Sequence, residues 1–454
     1  VGDIGERAAE LAEQLRTAGV AGVVVVWADN NGIPRSRTVP VATLPQVAET
    51  GIGVSTVFAI FDTNDGIQYG APGRETPSGD VRLVPDLDRL TPLAGQPGLA
   101  WAPGTQVTVD GSPWPWDQRS LLTSTVDALA DRGYSALVGY EMEFAVSAAS
   151  PDGAVVPAYR GPAYSPHALL EIDGFVTDVL RDAEANGLRI GQLHAEYGPA
   201  QVELSLGATD PVRASDEQLL ARQTVLAAAA RHGLRVSFAP LPSLQMAGNG
   251  WHAHTSLWRD GRNLLAGGLD GPDDPAGGAY IAGLLRDLPA LAAVTAPSLG
   301  SAARLRPGFF AGAYGFWGIE NREAPVRYVA GSPMLGDDHA NVELKVSDAS
   351  ANPYLALTAL LTAGVAGVDE GLTPPPPFAS DPGTWTEEER AQAGVVPLPT
   401  TQADQEAALL GCERLTAALG EERLGAFLAV RRADAAWGAE RDTEDVLAAW
   451  RWRY

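Results

Sequence analysis

The chain has 454 residues, a net charge of −24 and a single cysteine, Cys412. That length holds roughly two or three domains at ~150 residues each. The acidity excludes nucleic acid and anionic membrane surfaces as expected partners, and the lone cysteine excludes an intrachain disulfide or a thiolate metal site.

In chain order, the first thirty residues begin acidic and helical, with no basic stretch ahead of an apolar one, so no secretory leader is expected. The run "VAGVVVVWA" is far too short to span a bilayer. A cytoplasmic protein is the expectation. Residues 6–18 read as an amphipathic helix and 20–28 as a strand. "NNGIPRS" is a turn, "RTVPV" a second strand, and 43–49 a short helix. Residues 52–110 alternate short apolar runs with Gly/Pro breaks, as a small sheet does. "GSPWPWD" at 111–117 reads as a linker, with Asp117 capping a helix to about 131.

Farther on, helices are expected at 168–186, 215–232 and 277–295, and strands at 189–195, 201–206, 234–239 and 251–258. Asn352 caps a helix with Pro353 in its first turn. "LTPPPPFASDPG" reads as a stiff, exposed connection, and the last forty residues as mostly helical. Neither a Walker A motif nor a dinucleotide glycine fingerprint occurs. The glycine-rich stretches 70–73 and 266–278 lack the required spacing and read as loops.

The chemistry concentrates in short alternating segments. In "GYEMEFAV", Glu141 and Glu143 share one strand face while Tyr140, Met142, Phe144 and Val146 share the other. "QVELSL" repeats the pattern with Gln201, Glu203 and Ser205. "WHAHTSLW" does so with His252, His254 and Ser256, and "NVELKV" with Asn341, Glu343 and Lys345. Glu196 lies just ahead of the second segment. Clustered carboxylates repel, and burial raises their pKa values further. Bound divalent cations resolve both problems, and an oxygen-rich shell suits Mg²⁺ or Mn²⁺, an imidazole tilting it toward Mn²⁺. Arg304, Arg306, Arg322 and Arg327 add positive charge nearby in sequence. Metals with several arginines suit phosphoryl transfer, where catalysis is mostly positioning and charge neutralisation. Lys345 is the only lysine in an arginine-rich chain. His194 and His167 have no assignable partner and read as surface or packing residues.

In order, "VWADNNGIPRSRTVP", "GYEMEF", "HAEYGPAQVEL", "GNGWHAHTSLW", "RLRPGFF…FWGIENREAPVR" and "NVELKVSDASANPYLAL" resemble the glutamine synthetase superfamily over nearly the whole chain. The resemblance implies an α+β fold. A small β-grasp domain (1–110) would precede a catalytic domain (111–454) whose curved antiparallel sheet forms a funnel-shaped site. It also implies rings, commonly a dodecamer of two hexamers, with sites formed between neighbouring subunits. The implied chemistry is phosphorylation of a carboxylate by ATP, then attack of ammonia or an amine on the acyl phosphate.

Carried over by motif, Glu143, Glu196 and Glu203 would hold one metal, and Glu141, His252 and Glu343 a second. Arg304 would grip the amino-acid carboxylate, with Gly248 and Phe310 also lining the substrate. Arg322 and Arg327 would contact the ATP phosphates, with His254 and Ser256 beside the nucleotide. Arg322, Lys345 and Asp62 would be catalytic.

Several positions depart from the ammonia-using members. The flap "PGYEAP" reads "PGFFAG", so its glutamate is Phe310. "GSGMH" reads "GNGWH" after Ala247, the lysine of "PKP" is Leu241, and the arginines flanking the metal glutamate are Asn341 and Lys345. The "DGSS" loop with its ammonium-binding aspartate resembles "FDTNDG", which carries Asp62 and Asp65. All six metal ligands remain. The pattern resembles the γ-glutamylamine ligases that use polyamines, ethanolamine or alkylamines. Glutamine synthetase proper and a catalytically silent, regulatory paralogue are the competing readings.

Overall fold

The computed structural model describes residues 2–71, 78–267 and 275–454. The glycine-rich stretches read as loops lie partly outside these residues, at 72–73 and 268–274.

Two sheets organise the chain. The first has the order Pro34–Pro40, Gly22–Ala28, Leu99–Val107, Asp80–Pro85, Ile52–Ser55. Strand Gly22–Ala28 runs antiparallel to Pro34–Pro40 and parallel to Leu99–Val107. Helix Gly2–Thr17 packs on one face, where Ala8, Ala12 and Leu15 share a core with Val23, Val25, Ala100 and Ala102. The alternate residues Val26, Ala28 and Trp101 face the other way, into the main core of the protein. The unbroken apolar run of this strand is thus explained by burial on both faces.

The stretch 111–117 differs from the linker expected there. Trp114 and Trp116 are buried in the core of the first sheet, edge to face at 5.6 Å. Two indoles offer too much apolar area to leave in water, and that outweighs the Gly/Pro signal around them.

The second sheet has the order Trp317–Ile319, Val326–Val329, Asn341–Leu344, Trp251–Arg259, Tyr134–Ala148, Gln201–Thr209, Ile190–Ala195. Its pairs are antiparallel except Trp317–Ile319 with Val326–Val329. Val138, Tyr140, Met142 and Phe144 turn into the main core, where Tyr140 stacks on Trp251 at 4.7 Å. Helices Pro211–Arg231, Ala276–Thr295 and Pro353–Asp369 fill that core from behind. The opposite face carries the polar residues.

The local signals mostly hold. Asp117 caps Gln118–Ala130 by accepting the Ser120 N–H at 2.7 Å, and Asn352 caps its helix at Tyr354 and Leu355. The expected helix 168–186 is divided into Pro166–Leu170 and Asp173–Ala185. The strand expected at 201–206 continues to Thr209 through an irregularity after Leu206. The proline-rich connection 372–383, expected to be exposed, is exposed at only half of its residues: Phe378 packs against Phe316, and Trp317 Nε1 donates to Pro375 O at 2.7 Å.

Candidate active site

Strand register assembles the polar face. Residues directly opposite one another in an antiparallel pair share a face at short range. Glu203 stands opposite both Glu143 on one side and His194 on the other. Glu141 stands opposite His252 and Ser205. His254 stands opposite Glu343, which in turn stands opposite Arg327. Four separate sequence segments thereby become one floor of carboxylates and imidazoles.

The floor has two foci. At one, His194 Nε2 lies 3.1 Å from Glu203 Oε1, and His194, Glu196 and Glu203 offer ligand atoms within 4.8 Å of one another. Tyr164 Oη and the Tyr197 N–H both donate to Glu196 Oε2, at 2.9 and 2.6 Å. Glu143 is held beside this group: its Oε2 accepts from Gln201 Nε2 at 2.9 Å and from the Gly250 N–H at 2.8 Å.

At the other focus, Glu141, His254 and Glu343 offer ligand atoms within 4.8 Å. His252 Nδ1 lies 3.4 Å from Glu141 Oε2 and 3.3 Å from Glu343 Oε1, and its Nε2 lies 3.7 Å from Glu143 Oε1. His252 therefore bridges the two foci. Buried His254 Nε2 has no hydrogen-bond partner among the described residues, although Glu141 Oε1 is 3.5 Å away. A donor set of glutamates with one or two imidazoles at each focus, including an orphaned ring nitrogen, fits a pair of Mg²⁺ or Mn²⁺ ions.

The electrostatics agree with a cation-seeking floor. Burial alone would push the Glu343 carboxyl up, but Lys345, His254 and His252 outweigh it and hold it at about 2. For Glu141 burial is likewise overcome by the two imidazoles, and its carboxyl lies well below the usual range. The hydrogen bond to Glu203 raises His194 to about 9. Burial works against the charged form of His254, yet its carboxylate neighbours raise it to about 9. The carboxylates of the floor thus draw both imidazoles toward the charged form, as they would draw a metal ion.

Around the floor, Lys345 Nζ donates to Glu343 Oε1 at 2.9 Å, and Arg327 Nη1 to Glu343 Oε2 at 2.9 Å. Arg304 is buried, with its Nη2 donating to Lys345 O at 3.1 Å. Burial lowers its pKa. Gly248 fits closely beside it, since a Cβ there would stand 2.7 Å from Arg304 Cγ. His254 Nδ1 meets Asn341 Oδ1 at 2.9 Å, and Ser256 Oγ accepts from Trp258 Nε1 at 2.9 Å.

Other expected residues sit apart from this cluster within the chain. Arg322 is exposed on the turn before Val326–Val329. Phe310 is 55% exposed with φ +50°, next to Phe309, whose ring lies under the Arg306 guanidinium at 4.0 Å. Asp62 closes its own loop, accepting from the Asn64 and Gly66 N–H groups and from Gln68 Nε2. Asp65 pairs with Arg35 and Arg453.

The reading of His194 as a residue without a partner is corrected by its contact with Glu203. His167 is exposed, as expected. Tyr164 was also missed, because its sequence neighbourhood carries no alternating pattern. For His194 a signal existed: it lies two residues before Glu196, the spacing of a shared strand face.

Residues 115–446 match the family model described as glutamine synthetase, catalytic domain. The chain is 43% identical over 452 residues to a γ-glutamylpolyamine synthetase, GlnA3, of Streptomyces coelicolor, covering 99% of this chain and 97% of that protein. It is 29% identical over 381 residues to a glutamine synthetase of Pyrococcus abyssi, covering 83% and 82%. Among solved structures, a novel glutamine synthase homolog superposes with a TM-score of 0.84 at 30% identity, covering 96% and 99%. An ADP complex of GmaS superposes with a TM-score of 0.82 at 26% identity, covering 96% and 97%.

Proposed function

The chain belongs to the glutamine synthetase family, and from that premise we propose that it is an ATP-dependent ligase joining the γ-carboxylate of glutamate to an organic amine. The products are a γ-glutamylamide, ADP and phosphate. The observation that carries the reading is the two-focus floor of glutamates and histidines, together with exposed Phe310 in place of the flap carboxylate. The likeness to a γ-glutamylpolyamine synthetase supports a polyamine as the amine.

In this reading Glu143, Glu196 and Glu203, joined by His194, hold one cation. Glu141, His252 and Glu343, joined by His254, hold the other. The ions supply charge neutralisation for the carboxylates and for phosphoryl oxygens. Arg304, desolvated and rigidly backed, grips the acid. Arg322 and Arg327 receive the ATP phosphates, with His254 and Ser256 toward the nucleotide. Lys345 supplies a point charge beside the reacting carboxyl. Aromatic faces at the flap receive the amine, and Asp62 or Asp65 of a neighbouring copy takes its proton. Residues 1–110 form a β-grasp domain and 111–454 the catalytic domain, whose sheet lines a funnel. The assembly is a cytoplasmic dodecamer of two hexameric rings.

The test follows phosphate release with glutamate, ATP and Mg²⁺ across a panel of primary amines, polyamines and ammonium. A γ-linked amide of one organic amine, identified by mass and by amine-dependent phosphate release, is the expected product. Phosphate release with none of them would overturn the ligase reading.

A further inference from the structure

Arg327 is clamped at both ends of its fork. Its Nη1 donates to Glu343 Oε2 on the site floor at 2.9 Å, and its Nη2 donates to Glu320 Oε2 at 2.7 Å. Buried Arg327 Nε has no hydrogen-bond partner among the described residues. Each terminal nitrogen of the fork is thus fixed by a carboxylate through one of its two N–H groups, and the guanidinium plane is set by the pair.

Glu320 sits just past strand Trp317–Ile319 with φ +51°, in the left-handed region that side chains with a Cβ rarely adopt. Strain of this kind persists only where the surroundings over-determine it, and it gathers at functional sites. Here the surroundings do so. The Glu320 N–H donates to Tyr328 O at 2.9 Å, and Glu320 Oε1 accepts the Ala330 N–H at 2.9 Å. Both carboxylate oxygens are therefore occupied, one by the backbone beyond the Arg327 strand and one by Arg327 itself. A group half exposed at the rim is held in an unfavourable backbone conformation to reach a buried arginine.

We propose that Glu320 is a positioning residue, holding the Arg327 guanidinium in the orientation in which it meets a phosphate oxygen of the nucleotide. The inference rests on the phosphate-binding role given to Arg327 above. It adds a carboxylate at the rim that sets nucleotide affinity without touching the nucleotide.

The discriminating variant is Glu320→Gln. Its amide oxygen can still accept the Ala330 N–H, but the negative charge facing Arg327 is gone. The full-length protein is assayed for KM of ATP, kcat and Tm, with Arg327→Ala as reference and Glu320→Asp as the charge-retaining variant. Glu320→Gln should raise the KM of ATP about five- to twentyfold, the range for losing one charge-assisted hydrogen bond. Its kcat should move less than about twofold, as for a loss of ground-state and transition-state binding alike. Glu320→Asp should recover most of that KM loss. A Glu320→Gln variant with wild-type KM beside an impaired Arg327→Ala would show that Glu320 only holds its turn, and would overturn the inference. Equal impairment of Glu320→Asp and Glu320→Gln would rule out the charge as the determinant and overturn it too. A wild-type KM in Arg327→Ala would instead remove the role of Arg327 on which the inference depends.

Discussion

Lys345 Nζ and Glu343 Oε1 are 2.9 Å apart, both buried, and Arg327 holds the other oxygen of the same carboxylate. The only lysine of the chain therefore neutralises the most deeply buried glutamate of the floor. An ammonium on a flexible stem can follow charge as it moves from a carboxylate to a transferring phosphoryl group. Lys345→Met should cost ~2–4 kcal/mol of transition-state stabilisation, the size of losing one electrostatic donor. The protein should stay folded, because Arg327 still pairs with Glu343. A loss in kcat/KM below about twofold would place Lys345 outside the chemistry. Lys345→Arg should also fall short of wild type, since a planar fork does not replace a point charge at this short range.

Glu141→Ala separates chemistry from folding. The apolar side of its strand, Tyr140 and Met142, stays buried in the core, and the substitution removes a like charge from beside Glu143 and Glu343. Phosphoryl transfer should be lost while the far-ultraviolet circular dichroism spectrum and Tm remain close to wild type. Wild-type turnover in this variant would remove Glu141 from the metal set.

His194 stands at the edge of the floor, 3.1 Å from Glu203. Removing it should weaken cation binding by at least about 10–100-fold, the effect of losing even an outer partner of a metal site. Titrating activity and bound Mn²⁺ in His194→Ala tests this. Unchanged Mn²⁺ affinity would return His194 to a packing role.

What could be read from the sequence follows the periodicity of each strand. The shared face of Glu141 and Glu143, and the pairing of His252 with His254, need only alternation by two. Register does not follow from alternation, because any even shift between strands keeps the same faces. Hence the neighbours of Glu203 emerged only with the fold, and His194, two strands from Glu143, was missed. The arginines show the same limit. Arg322 and Arg327 are five positions apart and read alike, yet one is exposed on a turn while the other is buried in a strand. Trp114 and Trp116 were hidden by the Gly/Pro context that usually marks a linker, although indoles of that size seldom stay in water.

The acid limb of stability should depend on Asp287. This buried carboxylate on helix Ala276–Thr295 accepts from Arg414 at 2.6 Å and 3.0 Å, and from Arg286 at 3.0 Å. Burial raises its pKa, but the two guanidinium groups outweigh that and hold it below the usual carboxylate range. A depressed folded-state pKa contributes stability that is present above the unfolded value of about 3.9 and is lost as pH falls through the lower, folded value. Asp287→Asn should cost ~1.5–3 kcal/mol near neutral pH, as for hydrogen bonds to charged groups. It should also flatten the fall in Tm below about pH 4. An unchanged acid limb in denaturation at pH 3–7 would contradict this role.

The last prediction concerns the amine. Phe310 is 55% exposed and held at φ +50°. A bulky residue in the left-handed region stores about 1–3 kcal/mol, which a loop retains only under constraint. Phe310 therefore does not serve as a packing anchor for its own domain, where an aromatic ring would be buried. Its neighbour Phe309 stacks under Arg306 at 4.0 Å, so this flap carries one aromatic–cation contact. An exposed ring can sit against a protonated amine for about 0.5–2 kcal/mol per contact. The methylene chain of a polyamine adds roughly 0.8 kcal/mol for each buried CH₂, which ammonium lacks. Together these favour an organic amine over ammonium by at least about tenfold in kcat/KM, since one ring contact and two buried CH₂ groups exceed the ~1.4 kcal/mol that ratio needs. Phe310→Glu removes the aromatic face and places a carboxylate where ammonium can be attracted. The ratio of organic amine to ammonium should then narrow by about tenfold. Gly308, two residues earlier at φ +79°, leaves the flap free to carry either side chain, so loss of folding is not expected. Kinetics of the wild type and Phe310→Glu with one polyamine and with ammonium decide the matter. If ammonium is the better nucleophile for the wild-type enzyme, the flap aromatics have no part in amine choice and the reaction is glutamine synthesis.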